Sequence, residues 1–246
     1  PRENVAPQGT DFGYFAGGSP SSTVSRIDYS NDTATAVAKG PLSAGRSYQG
    51  ATGNVSFGYF GGGRMIPAQS TVDRIDYSND TATAAAKGPL SAAKSYTAAT
   101  GNSSFGYFGG GDPGNRSTVD RIDYTNDTAT ASPKGPLGVG RDRLSAVSAR
   151  ANGFTVVGPA VVSNAAAVAG AFNPTTFGYF GGGGGPKSTV DRIDYSNDTA
   201  TAAVKGPLSL ARRLLAATGN SFFGYFGGGY VSAVVSTVDR IDYSSD

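Results

Sequence analysis

One segment recurs almost letter for letter along the 246 residues and fixes what kind of object the chain can become. Its Phe-Gly-Tyr-Phe element places a tyrosine at Tyr14, Tyr59, Tyr107, Tyr179 and Tyr225, and its Arg-Ile-Asp-Tyr element starts at Arg26, Arg74, Arg121, Arg192 and Arg240. The arginines are spaced by 48, 47, 71 and 48 residues. A period near 47 marks a supersecondary unit copied several times. Such units cannot bury their apolar faces alone and must stack on their neighbours.

The unit over residues 57–105 reads as strands joined by tight turns. Phe57 to Phe60 is an aromatic strand with Phe57 and Tyr59 on one face and Gly58 and Phe60 on the other. Gly58 leaves room for a neighbouring backbone or ring. Gly61-Gly62-Gly63 then supplies positive φ for a tight exit. Thr71 to Tyr77 mixes polar and apolar residues on both faces and predicts a strand that is neither central nor fully exposed. Ser78-Asn79-Asp80 is a turn. Thr81 to Ala86 reads as an outer strand packed on little, ended by Gly88-Pro89, and Ser95 to Thr100 opens the next unit. No apolar spacing of 3.6 persists, so helix is disfavoured. Four short antiparallel strands per unit predict an all-β fold, a β-propeller.

The pattern resembles the kelch repeat. The residues that carry the resemblance are Gly61-Gly62, Tyr77, Pro89 and Lys94, and again Gly109-Gly110, Tyr124, Pro136 and Arg141. It departs at one hallmark: kelch units usually hold a tryptophan on the fourth strand, and this chain has none, with Thr83 and Ala84 at about that place. The near-identity of the copies is also similar to that of kelch-like proteins of marine bacteriophages. That resemblance implies a virion or tail-associated protein that contacts a host surface or decorates the particle.

The expected architecture is one kelch-like propeller over residues 1–246, with five recognisable blades. Its units run over about 1–45, 46–93, 94–140, 141–211 and 212–246. The fourth carries an insertion near 150–174, read either as a partial sixth blade or as a plain surface insertion, and the fifth lacks its fourth strand. Residues 2–9 fit the first strand of blade one. An open sheet edge invites pairing with another chain, so self-association is one expected partner mode.

Chemistry is argued mostly by exclusion. The chain contains no Cys and no His, which removes disulfides and thiol or imidazole catalysis. Asp73 and Asp76 lie three apart on a strand and face opposite sides, so they are not an acid/base pair. Asp76 recurs in every unit and Asp73 in all but the first, where Ser25 stands, beside basic residues such as Arg74, Lys87 and Lys94, which predicts solvated or cross-strand ion pairs. Glycines 181–185 lack the Lys-Ser/Thr and helix of a phosphate loop. Asn31, Asn79, Asn126 and Asn197 each open an Asn-Asp-Thr triplet that suits a hairpin turn and also matches the N-glycosylation pattern. Asp76, Asn79 and Asp80 offer oxygens without a calcium-loop spacing. We therefore expect no enzyme, cofactor or metal. A net charge of +2 gives no case for nucleic acid, and Val156 to Phe172 is too short and broken to span a bilayer.

The copies differ mainly between the glycines and the Ser-Thr-Val strand. Up-and-down connectivity places those second-to-third loops on one end of the propeller with the fourth-to-first loops. Function concentrates on loops held by a rigid scaffold. The expected partner contacts are Arg64, Met65, Ile66 and Gln69; Asp112, Asn115 and Arg116; Lys187; and Tyr230 and Val231. The expected partner is a protein or surface glycan on a host cell, or another virion protein, with a virion or extracellular location. The alternative is a cytoplasmic kelch-type adaptor for protein–protein contacts.

Overall fold

The computed structural model describes residues 12–18, 21–148, 177–220 and 222–246. It is all-β, with five small antiparallel sheets arranged as the blades of a propeller. Blade one holds β1 (Phe12–Ala16), β2 (Val24–Asp28) and β3 (Val37–Lys39). Blade two holds β4 (Gly50–Gly53), β5 (Phe57–Gly61), β6 (Val72–Asp76) and β7 (Ala85–Lys87). Blade three holds β8 (Ala98–Gly101), β9 (Phe105–Gly109), β10 (Val119–Asp123) and β11 (Ser132–Lys134). Blade four holds β12 (Ser145–Ser148), β13 (Phe177–Gly181), β14 (Val190–Asp194) and β15 (Ala203–Lys205). Blade five holds β16 (Ala216–Gly219), β17 (Phe223–Gly227) and β18 (Val238–Asp242), three strands among the described residues. The expected strand over 2–9 and the insertion near 150–174 lie outside the described residues.

Inner strands β4, β8, β12 and β16 lie side by side and line a central channel of about 370 Å³. Small residues fill them, among them Ala51, Thr52, Ala99, Thr100, Ala217 and Thr218, because room is least near the axis.

Each blade joins the next through one repeated set of contacts. Phe108 packs on Gly61, Phe180 on Gly109 and Phe226 on Gly181; a Cβ on any of these glycines would come within 2.6 Å of the ring. At the first joint Ala16 stands at the glycine position, and Phe60 packs beside it. Tyr14 stacks on Tyr77, Tyr59 on Tyr124, Tyr107 on Tyr195 and Tyr179 on Tyr243, with centroids 4.9, 4.8, 4.8 and 5.0 Å apart. Gly58 and Gly106 make room for the Tyr77 and Tyr124 rings of their own blades, so the expected reason for glycine inside the aromatic strand holds.

The charges depart from expectation. The pairs are buried, and one set crosses between blades rather than between strands in solvent. Arg46–Asp73, Lys94–Asp120 and Arg141–Asp191 sit inside their own blades at 2.9, 3.0 and 2.9 Å, with side chains at most 1% exposed. Their cations also donate to the carbonyls of Phe60, Phe108 and Phe180. Between blades, Asp80 accepts from the Tyr14 hydroxyl at 2.9 Å and Arg26 at 2.8 Å, with Lys39 at 3.2 Å. Asp127, Asp198 and Asp246 repeat this clamp against the preceding blade. The strand expected to be half-buried is therefore covered on both faces: Val72, Asp73 and Ile75 are all buried. The outer strand is shorter than expected, reduced to Ala85–Lys87 with two exposed alanines.

Candidate binding face

Paired glycines at each aromatic-strand exit take positive φ, for example Gly62 at 70° and Gly63 at 105°. They turn the chain toward one end of the propeller. There the variable loops are bridged to the residues leading into the inner strands, pairing Ser47 with Arg64, Ser95 with Asp112, Lys187 with Arg212 and Arg213 with Tyr230. The two loop sets therefore share one end, as the connectivity predicts.

The expected contact residues divide into three groups. Arg64, Met65 and Ile66 meet Asp112 of the next blade across a cleft of about 230 Å³, where Ile66 is 91% exposed. Gln69, Asn115 and Arg116 shape their loops: Gln69 Nε2 donates to the Pro67 carbonyl at 2.8 Å, Asn115 is left-handed at φ 50°, and the Arg116 amide donates to the Gly111 carbonyl at 2.8 Å. Lys187 and Tyr230 belong to blades four and five and lie outside that cleft. The Tyr230 ring lies under the Arg213 guanidinium at 5.3 Å, and the Val231 amide donates to the Ala233 carbonyl.

Four residues that sequence reasoning passed over complete this face. Tyr48, Tyr96, Arg143 and Leu214 each stand two residues ahead of an inner strand, so they rim the axis. All four are left-handed, with φ of 61°, 54°, 51° and 56°. A side chain there costs roughly 1–2 kcal/mol, and glycine would avoid it. A backbone chain holds the geometry: Tyr96 N–H donates to the Tyr48 carbonyl at 2.8 Å, Arg143 to Tyr96 at 3.0 Å and Leu214 to Arg143 at 2.9 Å. The backbone is thus fixed, while the side chain is free to vary.

The result is a stack at the mouth. Tyr48 lies on Tyr96 with centroids 4.0 Å apart, and the Arg143 guanidinium lies 4.3 Å from the Tyr96 centroid. Asp142 pairs with Arg143 and orients it. The neighbouring Tyr96 hydroxyl pushes the Tyr48 phenol pKa upward. Leu144, Leu214 and Leu215 close the other side of a cleft of about 240 Å³. One signal points to these positions: two residues after the basic residue, the copies read Tyr, Tyr, Arg and Leu, in a short stretch whose flanking positions vary as well.

Candidate metal oxygens are turned to other tasks. Asp76 accepts from the Ser78 amide and hydroxyl, and Asp80 from the Tyr14 clamp. Among the described residues no group of three or more acidic side chains is arranged to hold a metal ion. No protein-family model and no curated protein matches this chain.

Proposed function

We propose that this chain is a non-catalytic binding or structural module, kelch-like in its repeat, that meets its partner through the loop end of the propeller. The observation that carries the reading is the confinement of variation. Turns at the opposite end repeat Asn-Asp-Thr, whereas the loops and the left-handed quartet change from copy to copy. Large side chains held in left-handed backbone at the axis are tolerated strain, and such strain gathers where side chains must be aimed.

The Tyr48–Tyr96–Arg143 stack offers an aromatic face, 49% exposed at Tyr48, beside cationic and hydroxyl groups. That suits a flat, hydroxyl-bearing sugar ring better than a nucleotide, which would want a broad basic field. The wording of the repeat favours a phage particle carrying the module toward a host-surface glycan. A second reading, the cellular protein–protein adaptor, is favoured by exposed Ile66 and Met65 in the neighbouring cleft.

A glycan array probed with the chain tests this. Tyr48→Gly removes the ring and relieves the backbone, so it is expected to keep or raise the unfolding temperature while lowering glycan binding about tenfold or more. Exchanging the loops of units two and four should change which glycans are bound. Binding that is indifferent to both changes would defeat the proposal; binding only to a soluble protein would select the adaptor.

A further inference from the structure

The joint described above is filled four times and left open once, between blade five and blade one. Both of its halves are present. Blade five offers Gly227, Tyr225 and Arg240, the counterparts of Gly109, Tyr107 and Arg121. Blade one offers Phe15, Tyr29 and Asp32, the counterparts of Phe180, Tyr195 and Asp198. None of them meets its counterpart. Phe15 is 61% exposed, whereas Phe108, Phe180 and Phe226 are fully buried. Among the described residues, a Cβ on Gly227 would touch only Val238 of its own blade, at 3.7 Å. Tyr29 is 60% exposed and, among the described residues, stacks on no ring.

Geometry decides what belongs there. The four filled joints are equal, with ring centroids 4.8–5.0 Å apart and aspartate–arginine distances of 2.7–2.8 Å. Equal joints turn each blade through an equal angle. Were that angle a fifth of a circle, blade five would reach blade one and the fifth joint would form unaided. Among the described residues it does not form, which leaves room for a body between them. That body has to show a phenylalanine and an aspartate to blade five, and a glycine socket with a tyrosine and an arginine to blade one. Only a unit of this repeat carries both sides. A whole second copy, with its own five blades, does not enter a gap bounded on both sides by one ring.

We infer that the gap between blades five and one seats at least one further unit of this same repeat. Its turn aspartate is clamped by Tyr225 and Arg240, its phenylalanine fills the Gly227 socket, and its own socket takes Phe15 and Asp32.

The test lengthens the chain. Tyr243-Ser244-Ser245-Asp246 aligns with Tyr77-Ser78-Asn79-Asp80, so a copy of residues 81–134 appended after Asp246 completes blade five and adds one unit. Amide hydrogen exchange is then followed at 223–227 and 12–16, with 105–109 as the internal standard. In the parent chain both segments should exchange much faster than the standard. One appended copy is expected to slow 223–227 by about a hundredfold or more, and 12–16 joins it with one copy or with two. Gly227→Val fills the socket: it should leave the parent unchanged and abolish the gain in the extended chain.

Three results would overturn the inference. The appended unit could be protected itself yet leave 223–227 unchanged. The parent could already protect both segments like 105–109, so that blade five closes directly on blade one. Protection in the parent could rise with protein concentration, so that a second copy fills the gap. If the extended chain does not fold, the parent still decides. Phe15→Ser should leave its unfolding temperature unchanged while Phe108→Ser lowers it, and equal losses would refute the open joint.

Discussion

A tyrosine hydroxyl, a guanidinium and an ammonium converge on each of the turn aspartates Asp80, Asp127, Asp198 and Asp246, and this small cluster does more for the assembly than its surface-like sequence suggests. Burial works against ionisation of Asp80, yet the Tyr14 hydroxyl, Lys39 and Arg26 together hold its carboxyl below the ordinary carboxylate range. A folded-state pKa below the unfolded one gives stability that is complete above the unfolded value. It is lost as pH falls through the folded value. Asp76 and Asp123 act in the same direction through the Ser78 and Thr125 hydroxyls. Asp191 acts oppositely, because burial raises its pKa despite Arg141. Its share therefore weakens as pH rises, and it only blunts the acid transition. We expect Asp80→Asn to cost about 2–3 kcal/mol at pH 7, since it leaves partly buried cations unpaired. The gap to the parent should narrow below about pH 4, measured by urea unfolding at both pH values. A pH-independent difference would mean that the charge is not what holds this turn.

The Gly-Pro element shows how closely adjacent blades are drawn together. A Cβ on Gly88 would lie 1.9 Å from the Ala129 carbonyl oxygen of the next blade, and Gly40 and Gly135 are equally confined. Among the described residues, Gly206, at the same place in blade four, has nothing within 4 Å. Gly88→Ala is therefore expected to destabilise by roughly 3 kcal/mol and Gly206→Ala by less than about 0.5 kcal/mol, read from thermal unfolding of the two variants. The strands themselves were legible: the aromatic strand, the Asn-Asp turn and the Gly-Pro stop carry unambiguous local chemistry. The burial of β6 was not. Val72-Asp73-Arg74-Ile75-Asp76 looks half-polar until Arg46 is seen to enter the blade and neutralise Asp73. The left-handed quartet was also invisible, because Tyr, Arg and Leu are not residues that announce positive φ. Only their variation between copies hinted at them.

At the scale of the molecule the chain is an arc of near-identical blades whose stability is distributed over repeated nearest-neighbour joints. Repetition made the propeller readable, since one unit's pattern predicts all. The closure of the arc was not readable, because it depends on the angle each joint imposes, and no single unit encodes a full circle. The same repetition leaves the loop end free to vary without disturbing the scaffold. The measurement that bears most directly on this account is a pair of double-mutant cycles, one on Tyr107→Phe with Asp198→Asn and one on Tyr225→Phe with Asp32→Asn. The account predicts a coupling of about 1–2 kcal/mol for the internal pair and none within error for the second. A vanishing internal coupling, or equal couplings at both sites, would contradict it.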